Sequence, residues 1–182
     1  MTGSLDSVSG HVKYQMLKKA GLLFWIFFIT CEAFAAERPR IHFDQRAWQL
    51  GWSASQPDMM TKEYVLKGET ADHWTEKVTI QFFPGLQKKE SIEQVLESTK
   101  LNLDNRCPRV DFKILHKKDK DRLYEWSLNH CPAEEDRTEA GRLLQGNEGF
   151  YLYRYAVKRK SWNEKKFQEW MKLLNDFQIV DQ

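Results

Sequence analysis

Histidine and cysteine are scarce in this sequence, and their spacing rules out most metal and nucleophile chemistry. Five histidines are spread over 182 residues. Past residue 35, His42, His73, His116 and His130 never stand three or four positions apart. A zinc site needs three or four converging His, Cys or carboxylate ligands, often two of them at turn or helical spacing. With no His-Glu-x-x-His pattern, neither a metal nor a cofactor is expected. The Gly-x-Ser-x-Gly elbow, the P-loop and the dinucleotide fingerprint are missing too, so no catalytic residue is assigned and the chain leans away from enzymes. The segment LLQGNEGF, residues 143–150, has two glycines but lacks the lysine and following helix that cradle a phosphate, and it reads as a turn. No internal repeat, low-complexity tract or Gly/Ser/Pro linker divides the chain. Charges of both signs are interspersed, which gives no argument for nucleic acid.

Long apolar runs are also absent, except near the start. MLKKAGLLFWIFFITCEAFAAE, residues 16–37, places Lys18 and Lys19 before an apolar stretch from Ala20 to Thr30. Ala33-Phe34-Ala35 then supplies the small residues of a signal-peptidase site. The reading is a secretory signal cleaved after Ala35, with translation starting at Met16 and residues 1–15 lying upstream of it. The rival is an uncleaved anchor, but the run is shorter than the roughly 20 residues that span a bilayer. Lipidation at Cys31 is a further alternative, although FIT is a poor lipid box. The expectation is an exported, periplasmic or secreted protein with no stable transmembrane span after cleavage, and one domain over residues 36–182. Cleavage removes three positive charges (Lys13, Lys18, Lys19) and two negative ones (Asp6, Glu32), taking the net charge from +2 to +1.

Cys107 and Cys131 remain after cleavage, an even pair in a chain bound for an oxidising compartment. Each is followed by proline and ends an apparent element, which suits a disulfide staple better than a reactive thiol.

Periodicity alternates between two and 3.6 along the rest of the chain. AWQLGWSAS (47–55) sets Trp48, Leu50 and Trp52 at period two, and KEYVLKG (62–68) is a short strand. HWTEKVTIQFF (73–83) puts Trp74, Glu76, Val78, Ile80 and Phe82 on one face of a strand that stops at Pro84-Gly85. Ser91 is a helix N-cap before Ile92, Val95, Leu96, Thr99 and Leu103 at helical spacing. VDFKILH (110–116) and RLYEWSLNHC (122–131) read as a hairpin across KKDKD. PAEEDRTEAGR (132–142) reads as a polar surface loop, and GFYLYRYAVKRK (149–160) as a tyrosine-rich strand. Phe167, Trp170, Met171 and Leu174 form the stripe of a last helix capped by Ser161 or Asn163. The expected fold is α+β, a mostly antiparallel sheet of about six strands covered by two helices.

The Trp74-Thr75-Glu76-x-Val78-x-Ile80 strand ahead of a helix, the central meander and the Trp-bearing last helix resemble exported bacterial proteins with a PsbP-like α/β/α sandwich. A cystatin-like sheet is the rival. The resemblance spans most of residues 42–180 and implies a binding or assembly factor more than an enzyme.

Three features invite a functional reading. In GETADHWTEKVTIQFFPG (68–85), Glu69, Asp72 and His73 belong to a turn, whereas Glu76 shares an apolar strand face and needs a partner there. Arg154, amid aromatic neighbours, is the candidate, either as a structural ion pair or as a ligand site. Tyr151, Tyr153 and Tyr155 alternate on one strand face and are either core or interface aromatics. The 132–142 loop is the third. Two functions follow: an exported adaptor that binds a protein partner in the cell envelope, or a small-ligand binder or hydrolase with a cleft around Glu76, His73 and Arg154.

Overall fold

Alternation at period two builds most of this protein, and its tertiary pairing is antiparallel throughout. The computed structural model describes residues 37–132 and 134–181, all within the unit that runs from residue 34 to 182. The leader expected over residues 1–35, the start at Met16 and the lipidation site at Cys31 lie outside the described residues.

The elements in chain order are β1 (Glu37–Arg40), β2 (Trp48–Gln56), β3 (Met59–Leu66), β4 (Glu76–Pro84), α1 (Ile92–Arg106), β5 (Val110–Lys118), β6 (Asp121–Leu128), β7 (Arg137–Gln145), β8 (Gly149–Lys158), α2 (Glu164–Asn175) and β9 (Gln178–Asp181). Seven strands form one sheet in the order β2-β3-β4-β8-β7-β6-β5, and β1 pairs with β9 in a separate two-stranded sheet. The α+β expectation therefore holds, with seven strands in the main sheet. No helix among the described residues is long and apolar enough to cross a membrane.

The helices start where local chemistry places them. Ser91 accepts from the Gln94 backbone while the Gln94 side chain accepts from the Ser91 N–H, a reciprocal capping box. Asn163, not Ser161, caps α2 through Lys166 N.

The two faces of β8 bury different layers. Tyr151, Tyr153, Tyr155 and Val157 join Phe167, Trp170 and Leu174 of α2 in one cluster. Phe150 and Leu152 join Ile92, Val95, Leu96 and Leu103 of α1 in another. The helices thus cover opposite faces of the sheet. Tyr155 stacks on Trp170, with centroids 4.5 Å apart and planes 5° from parallel. The tyrosine row is therefore core. Tyr153 and Tyr155 are 0% and 1% exposed, which corrects the reading of these residues as interface aromatics. An amphipathic helix, rather than another protein, covers that face.

The 132–142 segment departs further from expectation. Its second half is β7, an interior strand between β6 and β8. Its polar and small residues hide the alternation. Ala140 is fully buried, Glu139 is buried within an ion pair, and Gly141 lies beneath the Tyr124 ring, where an added Cβ would sit 2.5 Å from Cζ. The short β1–β9 pair was equally illegible, because its strands lie at opposite ends of the described chain.

Bulges also break two expected alternations. The β2–β3 register shifts between Leu50 and Trp52, so Leu50 pairs with Tyr64 on the α2 face while Trp52 pairs with Glu63 on the α1 face. The β5–β6 register shifts between Ile114 and His116. An extra residue in one strand reverses which face the following side chains occupy.

Candidate functional site

Glu76 begins β4 and pairs in register with Val157 of β8, so it lies on the α2 face. Arg154 pairs with Thr79 and therefore lies on the α1 face. Strand alternation puts them on opposite sides of the sheet, and the expected Glu76–Arg154 pair is not formed. The partner is Arg46, in the segment before β2. Its Nη1 and Nη2 each donate to a Glu76 carboxylate oxygen at 2.6 Å. Tyr155 Oη donates to the same carboxylate at 2.5 Å. Arg46 also donates through Nε to Asp44 at 2.8 Å, and Trp48 Nε1 donates to Asp44 at 2.8 Å. This satisfies Glu76 at 6% exposure with a two-pronged guanidinium contact.

The ionisation of the cluster follows from these contacts. Burial by itself would raise Asp44, but the hydrogen bonds from Arg46 and Trp48 prevail and hold it below its usual 3.8. Burial opposes the Arg46 charge, yet the bonds to Glu76 and Asp44 raise its pKa. Burial, followed by the bond to Glu76, raises the Tyr155 phenol. Every polar group here has a protein partner, so the cluster is a fastening between the β2 approach and the sheet.

His73 is exposed in a turn, its N–H bonded to Thr70 O at 3.2 Å. Glu69 accepts from Thr75 N at 3.1 Å within the same turn. Glu76, His73 and Arg154 consequently do not converge, and the cleft expected around them is absent. Trp74 leaves the Glu76 face as well. Lys77 Nζ and Lys158 Nζ, on the α1 side of the sheet, both lie 4.8 Å from its ring centroid.

Arg154 instead forms part of a different cleft, of about 520 Å³, where α1 leaves the sheet uncovered. Thr79 and Ala156 keep its floor low, Trp74 and Trp126 line it, and Thr99 and Asn102 reach it from α1. Arg154 Nη2 donates to Gln81 Oε1 at 2.8 Å and Nη1 to Glu139 at 3.3 Å. Burial opposes the Arg154 charge, but the charges of Glu139, Tyr124 and Glu63 and the hydrogen bond to Glu139 together outweigh it and raise the pKa. Lys77 pairs with Glu63 at 3.2 Å, and the Arg137 guanidinium lies 5.2 Å from the Trp126 ring centroid. Arg154 Nε and Trp126 Nε1 are buried donors with no hydrogen-bond partner among the described residues. The sequence marked Arg154 as a charge among aromatic neighbours, but Glu139 and Trp126 carried no such mark, because only strand neighbourhood brings them together.

Cys107 is a buried thiol in this structure, its Sγ 3.7 Å from Arg109 O. Cys131 Sγ lies 3.4 Å from the carbonyl of Arg106, the residue before Cys107. The expected bridge is not formed here, although both sulfurs sit at the C-terminal end of α1. Among the described residues, no group of three or more His, Cys, Asp or Glu is placed to hold a metal ion.

The outer edge of the sheet is a third feature. Among the described residues β2 pairs only with β3, and its other side has no strand beside it there. Its nine residues, WQLGWSASQ, include no charge, and Leu50 and Trp52 are 52% and 46% exposed. The opposite edge, β5, carries Asp111, Lys113, Lys117 and Lys118.

A protein-family model matches residues 35–179. The chain belongs to that family. The match takes in all of the main sheet, both helices and both cysteines of the 107–131 pair. A search of curated proteins finds no match.

Proposed function

We propose that the chain is an exported, non-enzymatic binding domain, an accessory protein of a bacterial envelope assembly, and that β2 is the strand it offers to its partner. The observation that carries this reading is the uncharged, exposed edge of β2. Edge strands are ordinarily guarded by lysine, proline or inward charge, because their free N–H and C=O groups template pairing with another chain. β5 carries such a guard in its lysines, and β2 does not. An extended segment added to β2 would gain main-chain hydrogen bonds, with Leu50 and Trp52 contributing side-chain selectivity. The lack of charge on β2 suits an uncharged partner strand.

Export rests on the leader over residues 1–35, and the family match beginning at residue 35 is in keeping with a leader upstream of the matched unit. Helices on both faces of the sheet support the likeness to PsbP-like sandwiches. In the oxidising envelope, Cys107 and Cys131 would close into a bridge, a reading supported by their common position at the end of α1.

A photo-crosslinking residue placed at Ser53 or Ser55 in cells tests the binding reading. The expected result is an adduct with one envelope protein through an extended, uncharged segment, lost in the Leu50→Lys, Trp52→Lys double variant. Adducts only to a second copy of the chain, or adducts unchanged by the two lysines, would refute it. N-terminal sequencing of the exported protein is expected to begin at Ala36.

A further inference from the structure

We infer that the segment received by β2 is an amphipathic strand, with bulky apolar side chains at every second position on its α2 side and small polar ones on its α1 side. The inference rests on β2 as the receiving strand and names the kind of partner that fits it.

What lies behind β2 differs between the two faces of the sheet. On the α2 face, Ser53 and Ser55 pair with Lys62 and Met60 of β3, which pair in turn with Ile80 and Phe82 of β4. Two exposed serines therefore stand in front of an apolar surface. Met60 is 44% exposed. Beside it opens an apolar groove of about 360 Å³, lined by Met60, Tyr64, Ile80 and Phe82 from the sheet and by Pro39 and Ile41 opposite. On the α1 face, Ala54 and Trp52 pair with Thr61 and Glu63, which pair in turn with Gln81 and Thr79. That face is polar, and its groups are engaged with one another. Gln81 donates to Thr61 Oγ1 at 3.2 Å and accepts from Arg154, and Lys77 donates to Glu63 at 3.2 Å.

The small residues of β2 decide how far an incoming side chain reaches. An added strand lies one spacing from β2 and two spacings, about 10 Å, from β3. Only long side chains meet across such a gap, and Ser53 and Ser55 leave the path over β2 open on the α2 side. A Leu, Phe or Met directed over either serine meets Met60 and closes the mouth of the groove. Lys62, exposed between them, lays its methylene stem along the same side chains while its ammonium stays in water. The same bulk on the α1 side would press against Thr61 and Glu63, where it gains little. Alternation in the partner thus matches the two unlike faces behind β2.

Fluorescence anisotropy with two short, capped, labelled peptides tests the inference, one alternating Thr with Leu and the other alternating Thr with Ser. The Thr/Leu peptide is expected to bind saturably and about tenfold tighter, since its leucines bury apolar area. Ser55→Asp and Met60→Asp are expected to weaken it about tenfold and Ala54→Asp only about twofold, because only the first two set a carboxylate against the leucines. Circular dichroism is expected to stay native in all three. Equal affinity of the two peptides, or equal weakening by Ser55→Asp and Ala54→Asp, would overturn the inference while leaving β2 as the receiving strand. Thr/Leu binding untouched by the Leu50→Lys, Trp52→Lys double variant would overturn both. No saturable binding of the Thr/Leu peptide would overturn the inference and leave β2 to the crosslinking result.

Discussion

Arg46 holds both carboxylate oxygens of Glu76 at 2.6 Å, across thirty residues of sequence and from a segment that belongs to no strand. Tyr155 closes the carboxylate from the sheet side. A buried acid with three donors is an anchor, and it fastens the approach to β2 onto the start of β4. Because that pair is partly desolvated, removing one partner strands the other.

Double-mutant cycles separate the pair that forms from the one that does not. Glu76→Gln with Arg46→Gln is expected to show a coupling of about 1–3 kcal/mol in urea denaturation, as for other side chains in direct contact. Glu76→Gln with Arg154→Gln is expected to be additive to within about 0.5 kcal/mol, because the sheet separates them. Coupling of similar size in both cycles would contradict the assignment of the two residues to opposite faces.

Gly141 is the one residue of β7 that leaves room for the Tyr124 ring. Gly141→Ala is expected to destabilise the protein by about 1–3 kcal/mol through overpacking. The loss is expected to shrink in a Tyr124→Leu background, where the ring carbon at 2.5 Å and the hydroxyl at 2.6 Å are gone. An equal loss in both backgrounds would place the strain elsewhere.

Acid stability carries a signature of Asp44. Its native pKa lies below 3.8 because hydrogen bonds from Arg46 and Trp48 outweigh burial. A depressed carboxylate stabilises the fold above its unfolded value, and that contribution is lost as pH falls through the native value. Denaturation midpoints measured between pH 5 and pH 2 (a window of about three units around the carboxylate range) are expected to fall less steeply in Asp44→Asn than in the parent. Parallel curves would mean that Asp44 is not the group that titrates.

The cysteine pair is testable by mass and by stability. Protein recovered from the envelope is expected to weigh two hydrogens less than the reduced chain. Reduction is then expected to cost about 3 kcal/mol on the loop-entropy model. A fully reduced mass, or a melting temperature indifferent to reductant, would remove the staple from the account.

Much of the fold was legible in the sequence wherever the signal was local. The Ser91 cap, a cap for α2 at Ser161 or Asn163, the alternation of Val78, Ile80 and Phe82, and the Phe167, Trp170 and Leu174 stripe all arise from patterns within a few residues. The misread elements lacked such a signal. β7 looked like a loop because its interior positions are filled by Glu139, Ala140 and Gly141, which suit their neighbours rather than any intrinsic strand preference.

The site divides along the same line. The sequence alone established that Glu76 is a carboxylate on an apolar strand face and therefore needs a partner. It also marked Arg154 as a charge among aromatics. Which residue answers each of them was decided by strand order and register. Those place Arg46 beside Glu76 on one face, and Arg154 with Gln81, Glu139 and Trp126 on the other. Side-chain period is local and written in the chain. Ion-pair choice depends on which strands become neighbours, and that emerges only when the seven-stranded sheet closes over its two helices.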